Sequence, residues 1–222
     1  MTGTDLAEQQ SAVPALYDGA SQITAEDIEF PRLYIAQPGH SFTVEGIAQY
    51  GDLVLAAGKD DPDAQVIFPY VEKPKDDEGV LIHPLALRKS LSDDSTGELV
   101  RYRIDDESAP ASAWTVYTYF LALPGVEEDV PVKWLTWRTR KPAAQKINTR
   151  LAKTSGQHPM YANAFLLTSA RRHNTVEDYR WSIPRVRPVD ADEDNIKIAE
   201  PLYAMVNQNR RAVEKSDTDP DI

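Results

Sequence analysis

The amino-acid sequence predicts a mainly β domain with two helices, and turn chemistry, run length and one strongly β-prone segment carry that expectation. Sixteen prolines and ten glycines punctuate short apolar runs, the spacing of strands joined by tight turns rather than of a helical bundle. The segment Trp114–Leu123, WTVYTYFLAL, places β-branched and aromatic side chains on both of its faces, as a strand buried centrally in a sheet must. Ala143, Ile147 and Leu151 then recur at four-residue spacing, which is the apolar stripe of a helix. With 222 residues, 41% of them apolar, the chain can bury one good-sized core.

Residues 1–25, rich in Thr, Gly, Ser, Gln and acids, lack periodicity and read as a disordered arm. Residues 28–36 alternate apolar and polar with a change of phase at Pro31, as an edge strand broken by a bulge would. Strands are expected at 50–57, 66–71, 80–87 and 99–104, separated by turn-forming clusters at 59–63 and 92–97. The 114–123 strand ends at Pro124-Gly125, and 132–137 forms another. Thr139 is placed to cap a helix reaching about residue 154, with Pro142 in its first turn and Gly156 as its terminator. Strands at 161–169 and 178–184 follow, linked by Arg171-Arg172-His173-Asn174. After an acidic linker at 190–194, a helix is expected from Ile196 or Pro201 to Val213, with Leu202, Met205, Val206 and Val213 docking. Strands crossed by one central helix and closed by two more strands suit an OB-like Greek-key β-barrel with an inserted helix. The expected division is an arm (1–25), an OB-like nucleic-acid-binding domain (26–189), a linker with the C-terminal helix (190–213) and an acidic tail (214–222).

Charge is sorted along the chain. Residues 133–187 hold twelve Lys/Arg against Glu177 and Asp178, a local +10 in a chain of net charge -11, so the remainder carries -21. Overall negative charge argues against polyanion binding, but a local basic field acts within a Debye length of ~8 Å while distant acids are screened. The basic tract interleaves aromatic residues: Trp134, Trp137, Tyr161, Phe165, Tyr179 and Trp181 among the cations. A single strand needs cations to replace the counterions of its phosphates and flat rings on which unpaired bases stack. The expected phosphate contacts are therefore Arg138, Arg140, Lys141, Lys146, Arg150, Lys153, Arg171 and Arg172, with Trp137, Tyr161 and Trp181 as stacking platforms. The competing expectation is a protein-interaction or structural module whose basic patch pairs with an acidic partner.

Catalytic classes find little support. Without cysteine there is no disulfide, thiolate chemistry or Cys-type zinc site, and the four histidines form no paired ligand motif. Residues 51–59 carry the wrong spacing for a phosphate loop, and Asp190, Asp192 and Asp194 lack the glycine and glutamate of a calcium loop. Asp60, Asp61 and Asp63 read as a turn. No enzyme activity, metal or cofactor is expected. Residues 1–22 lack the pattern of a secretory signal, and no apolar run approaches the ~20 residues of a membrane span. The expectation is a soluble, cytoplasmic protein that does not enter the membrane.

Several segments together carry a resemblance: 131–137 (PVKWLTW), 139–152 (TRKPAAQKINTRLA), 159–162, the strand pair ending Tyr179-Arg180-Trp181, the early 28–33 (IEFPRL) and the acidic end. In these, covering roughly residues 28–187 and the tail, the chain resembles the single-stranded DNA-binding proteins of tailed phages. The resemblance implies an OB fold with a helix between barrel strands, action on replication and recombination intermediates in the host cytoplasm, and tail-mediated contacts with polymerase and primase-helicase. Asp217, Asp219, Asp221 and Ile222 would then form the partner-binding tail, which also competes with DNA for the basic groove. The acid-rich segment 73–113 has no counterpart in it. The sequence leaves a homodimer through the C-terminal helix open.

Overall fold

The computed structural model describes residues 30–95, 99–136 and 140–208, and the expectations for the arm, Thr139, Trp137, Arg138, Val213 and the acidic tail lie outside them. Among the described residues nine strands and three helices follow in order: β1 (Arg32–Ile35), α1 (Ser41–Val44), β2 (Leu53–Ala56), β3 (Gln65–Phe68), β4 (Val80–Asp93) and β5 (Val100–Arg103). Then come β6 (Trp114–Leu123), β7 (Glu127–Thr136), α2 (Lys141–Thr154), a 3₁₀ turn at Met160–Ala162, β8 (Ala164–Asn174), β9 (Tyr179–Val189) and α3 (Glu193–Gln208). They form one mixed sheet in the order β3-β2-β1-β7-β6-β4-β8-β9, with β5 on β4. The pairings are antiparallel except β1 with β7, where Arg32 lies opposite Lys133. The sheet curls into a half-barrel.

Strand β6 sits inside the sheet between β4 and β7, as its two apolar faces require. Tyr119, Leu121 and Leu123 enter the main core with Leu33, Ile35, Trp134, Phe165 and the Ala143, Ala144 and Ile147 stripe of α2. Phe120 and Ala122, on its other face, pack with Phe30, Leu85 and the Ala199, Leu202 and Val206 stripe of α3. Each helix therefore covers one face of the same strand. A third cluster, Ala36, Phe42, Val54 and Ala56, lies under α1.

Two side chains tie the β1–β2 side of the curl to β9. Gln37, just past β1, donates through Nε2 to the Ser182 carbonyl at 3.1 Å and accepts the Ser182 amide at 2.9 Å, acting as a strand residue would. The Tyr50 hydroxyl lies at the Arg172–Trp181 rung of the β8–β9 ladder, donating to the Arg172 carbonyl at 2.9 Å and to the Trp181 carbonyl. Ser169 adds a bond to the Gly51 carbonyl, and a Cβ on Gly51, at φ +96, would meet Tyr70 at 2.9 Å.

Strand and helix bounds shift at the ends. β4 runs to Asp93 rather than residue 87, because β6 and β5 pair with its far half; Pro84 stands where the register of the β4–β6 ladder shifts, a place a residue without N–H can occupy. α3 begins at Glu193, eight residues before Pro201, which stays inside the helix. Its start is set by Asp192, whose side chain accepts the Asn195 amide at 2.8 Å. The acids at 193 and 194, expected in a linker, thus form the first turn, where the helix dipole favours them.

Two histidines make the fold acid-sensitive. His83 is sealed beneath the 3₁₀ turn, its Nδ1–H donating to the Tyr161 carbonyl at 2.8 Å, and burial lowers its pKa despite that bond. His40 packs edge-on to Phe42 with ring centroids 4.9 Å apart, and burial, then the nearby Arg140 cation, lower it to about 4. Both rings resist protonation more in the folded chain than in the unfolded one, which takes up their protons once the pH drops below the ordinary value of 6.5. Their contribution is therefore complete above that pH and falls as the pH drops below it, for His40 down to about 4. Urea unfolding across this interval is expected to show stability falling on acidification, with a smaller slope in His40→Gln; an unchanged slope would remove His40 from the account.

Candidate nucleic-acid interface

Strand β9 has alternating sides, and its odd-numbered residues, Tyr179, Trp181, Ile183, Arg185 and Arg187, share one face. The cross-strand partner of Trp181 is Arg172, which therefore projects from the same face. Tyr179 and Trp181 stack, with ring centroids 5.6 Å apart and planes 17° from parallel. Tyr179 is 60% exposed and Trp181 half-buried, so the pair presents a flat apolar platform at the surface.

Arg140 lies near this platform. It is the N-cap residue of α2; burial lowers its pKa to about 10, and its charge lies near enough to Tyr179 and Tyr34 to couple to them. It stays charged at neutral pH. Of the expected site residues, Arg140, Arg172 and Trp181 thus converge at the start of β9.

A second group gathers along the same strand. Ala143, Ala144 and Ile147 turn into the core, which leaves Lys146, Arg150 and Lys153 within a sector of roughly 60° on the exposed side of α2 at 100° per residue. Lys146 donates to the Val186 carbonyl at 3.2 Å, so that sector borders β9. Lys141 falls on the opposite flank by the same geometry, more than about 100° away. Between α2, β9 and the 74–78 loop lies a groove of about 410 Å³, whose lining includes Lys75, Lys146, Thr168, Arg185 and Arg187. From Tyr179 to Arg187 the face runs roughly 26 Å at ~3.3 Å per residue.

The outer edge of β9 is closed to further strands. Ser182 spends its amide and carbonyl on Gln37, and the Val186 carbonyl is held by Lys146. Pro184 and Pro188 fall on the same edge by the period of two and carry no N–H. What β9 offers a partner is its face, not its edge.

Three further residues of the tract lie elsewhere. Arg171 projects opposite Arg172; its guanidinium sits 3.9 Å from the Tyr70 ring centroid and 5.0 Å from that of Tyr50, and its Nε donates to the Tyr50 carbonyl at 2.7 Å. Its role is to bind the β8 end to the residue 50–52 turn. Tyr161 packs on Tyr203 of α3 at 5.0 Å and donates to Glu200 at 3.1 Å, away from β9. Trp134 is 1% exposed and its ring lies 5.8 Å from that of Tyr119, so this indole is core. Tyr179, Arg185 and Arg187 stand outside the expected contact set, although the period-two pattern of 179–187 places them beside Trp181.

Asp61, singled out with Asp60 and Asp63, accepts the Ala57 and Asp63 amides at 2.7 and 2.9 Å and so organises a turn. Among the described residues no group of three or more His, Asp or Glu is placed to hold a metal ion, and no helix is long and apolar enough to cross a membrane. No family model, no curated protein and no solved structure matches the chain.

Proposed function

We propose that this protein is a non-enzymatic, sequence-independent single-stranded DNA-binding protein. The observation that carries the reading is the outward face of β9, which aligns a stacked Tyr179–Trp181 platform, flanked by Arg140 and Arg172, with the cations Lys146, Arg185 and Arg187. Stacking platforms in line with a cationic groove suit unpaired bases on a phosphate chain and select no base sequence. Arg150 and Lys153 extend the track along α2, and Arg138 and Trp137 belong to the segment joining β7 to Arg140. The resemblance to phage proteins of this class supports an OB-type barrel acting on replication and recombination intermediates, with Asp217, Asp219, Asp221 and Ile222 as a tail that engages basic partners and competes for the groove.

Titration with oligo-dT tests the proposal. Tryptophan emission should be quenched, and log affinity should fall with log salt with a slope of about -0.7 per phosphate contact, so roughly -2 to -5 for three to seven contacts. Removal of residues 214–222 should tighten binding. Unaltered emission with excess oligonucleotide at low salt, together with a salt-sensitive oligomer on size-exclusion chromatography, would instead favour a module that pairs its basic face with an acidic protein.

A further inference from the structure

The segment that matches nothing in the resemblance lies against this same groove. The sequence Lys73-Pro74-Lys75-Asp76-Asp77-Glu78 connects β3 to β4, and Pro74, Lys75, Asp76 and Glu78 line the groove opposite Pro142, Lys146, Arg185 and Arg187. Asp76 is fully exposed yet aims a carboxylate oxygen at Arg187 Nη1, 3.1 Å away. The loop is shaped internally: Glu78 accepts the Lys75 amide at 2.9 Å, and its other oxygen lies 3.6 Å from the Lys75 ammonium.

Gly79 sets the loop's position. Its φ of +143 suits glycine, and a Cβ there would stand 3.0 Å from both the Leu167 carbonyl oxygen and the Thr168 Cγ2. The absence of a side chain at 79 lets the chain press onto β8 and hand its acidic residues to the groove. An exposed carboxylate on an arginine at the mouth of a cationic groove is chemically what a nucleic-acid phosphate would be: a planar or tetrahedral oxyanion held by a guanidinium.

Resting on the reading proposed above, we propose that the groove between α2, β9 and the 74–78 loop is a phosphate subsite on the single-strand path, and that Asp76 occupies it as an internal competitor until a DNA phosphate replaces its carboxylate on Arg187. The arrangement explains why an acidic loop lies on the basic face. It weakens binding to short or sparse anions, which make too few contacts to displace it, more than binding to a continuous strand.

The test uses the full chain and a fluorescein-labelled oligo-dT, comparing wild type with Asp76→Asn. The variant should bind up to about five-fold more tightly at low salt, the range an exposed ion pair commands, and its log–log salt slope should steepen by up to about 0.7, because no displaced carboxylate takes back a counterion when the phosphate reaches Arg187. In an Arg187→Gln background the same change should have no effect on either quantity. Asp105→Asn is the control: Asp105 forms a similarly exposed pair with Arg103 at 3.3 Å, beyond β5 at the other end of β4. Equal effects from Asp76→Asn and Asp105→Asn, or persistence of the Asp76→Asn effect without Arg187, would overturn the subsite while leaving single-strand binding intact. Failure of the wild type to bind oligo-dT would overturn both.

Discussion

Replacing Tyr179 and Trp181 together by leucine is expected to weaken oligo-dT binding by about five- to a hundred-fold per stacked base lost, the equivalent of ~1–3 kcal/mol each. The rings lie 5.6 Å apart at the surface end of β9, and Tyr179 is 60% exposed, so their loss removes stacking area without opening the main core. Leucine keeps the apolar character but offers no flat π-face, which separates stacking from simple burial. The salt slope should change little, because no cation is removed. Wild-type affinity in a variant that keeps its thermal unfolding midpoint would exclude this face as the base platform.

The opposite balance is expected for Trp134. This indole is 1% exposed, packed on Tyr119 and surrounded by the core that α2 closes. Trp134→Ala should cost about 3–5 kcal/mol of folding stability, a large share of the ~5–15 kcal/mol that a domain of this kind holds. Urea unfolding of the variant, read beside the milder Trp134→Phe, measures it. Oligo-dT affinity per folded molecule should stay near wild type. A cost below about 1 kcal/mol would mean that the indole is not the core element its burial implies.

The two indoles show how far the sequence can be read. Both stand in aromatic-basic stretches, Lys133-Trp134 and Arg180-Trp181, and local chemistry does not tell them apart. Their fates differ because β7 lies inside the sheet, covered by α2, while β9 ends the strand order with one face outward. Likewise Arg171 and Arg172 are chemically identical neighbours, yet the strand alternation sends one into the Tyr50 and Tyr70 rings and the other to the face of Trp181. Tyr161 became a helix contact because the 3₁₀ turn and α3 meet over His83, a tertiary arrangement without a local signature. Element types were more legible: β6 was read to the residue, and the apolar stripe of α2 at Ala143 and Ile147 faces the core as its spacing demands. Ends were less so, since β4, β7, β8 and β9 are prolonged by partners that supply hydrogen bonds where propensity alone gives no signal.

What the sequence alone determined is local: alternation makes a strand, four-residue spacing makes a helix, and the count of lysines and arginines makes the middle of the chain basic. These follow from periods of two and 3.6 and from fixed charges, which act within a few residues. Only the tertiary structure decided which strand would be outermost, which rings would meet water, and that the acidic 74–78 loop would settle on the cations of β9 and α2. Those outcomes depend on contacts between residues far apart in the chain, such as Gln37 with Ser182 and Asp76 with Arg187, whose geometry exists only once the sheet has curled.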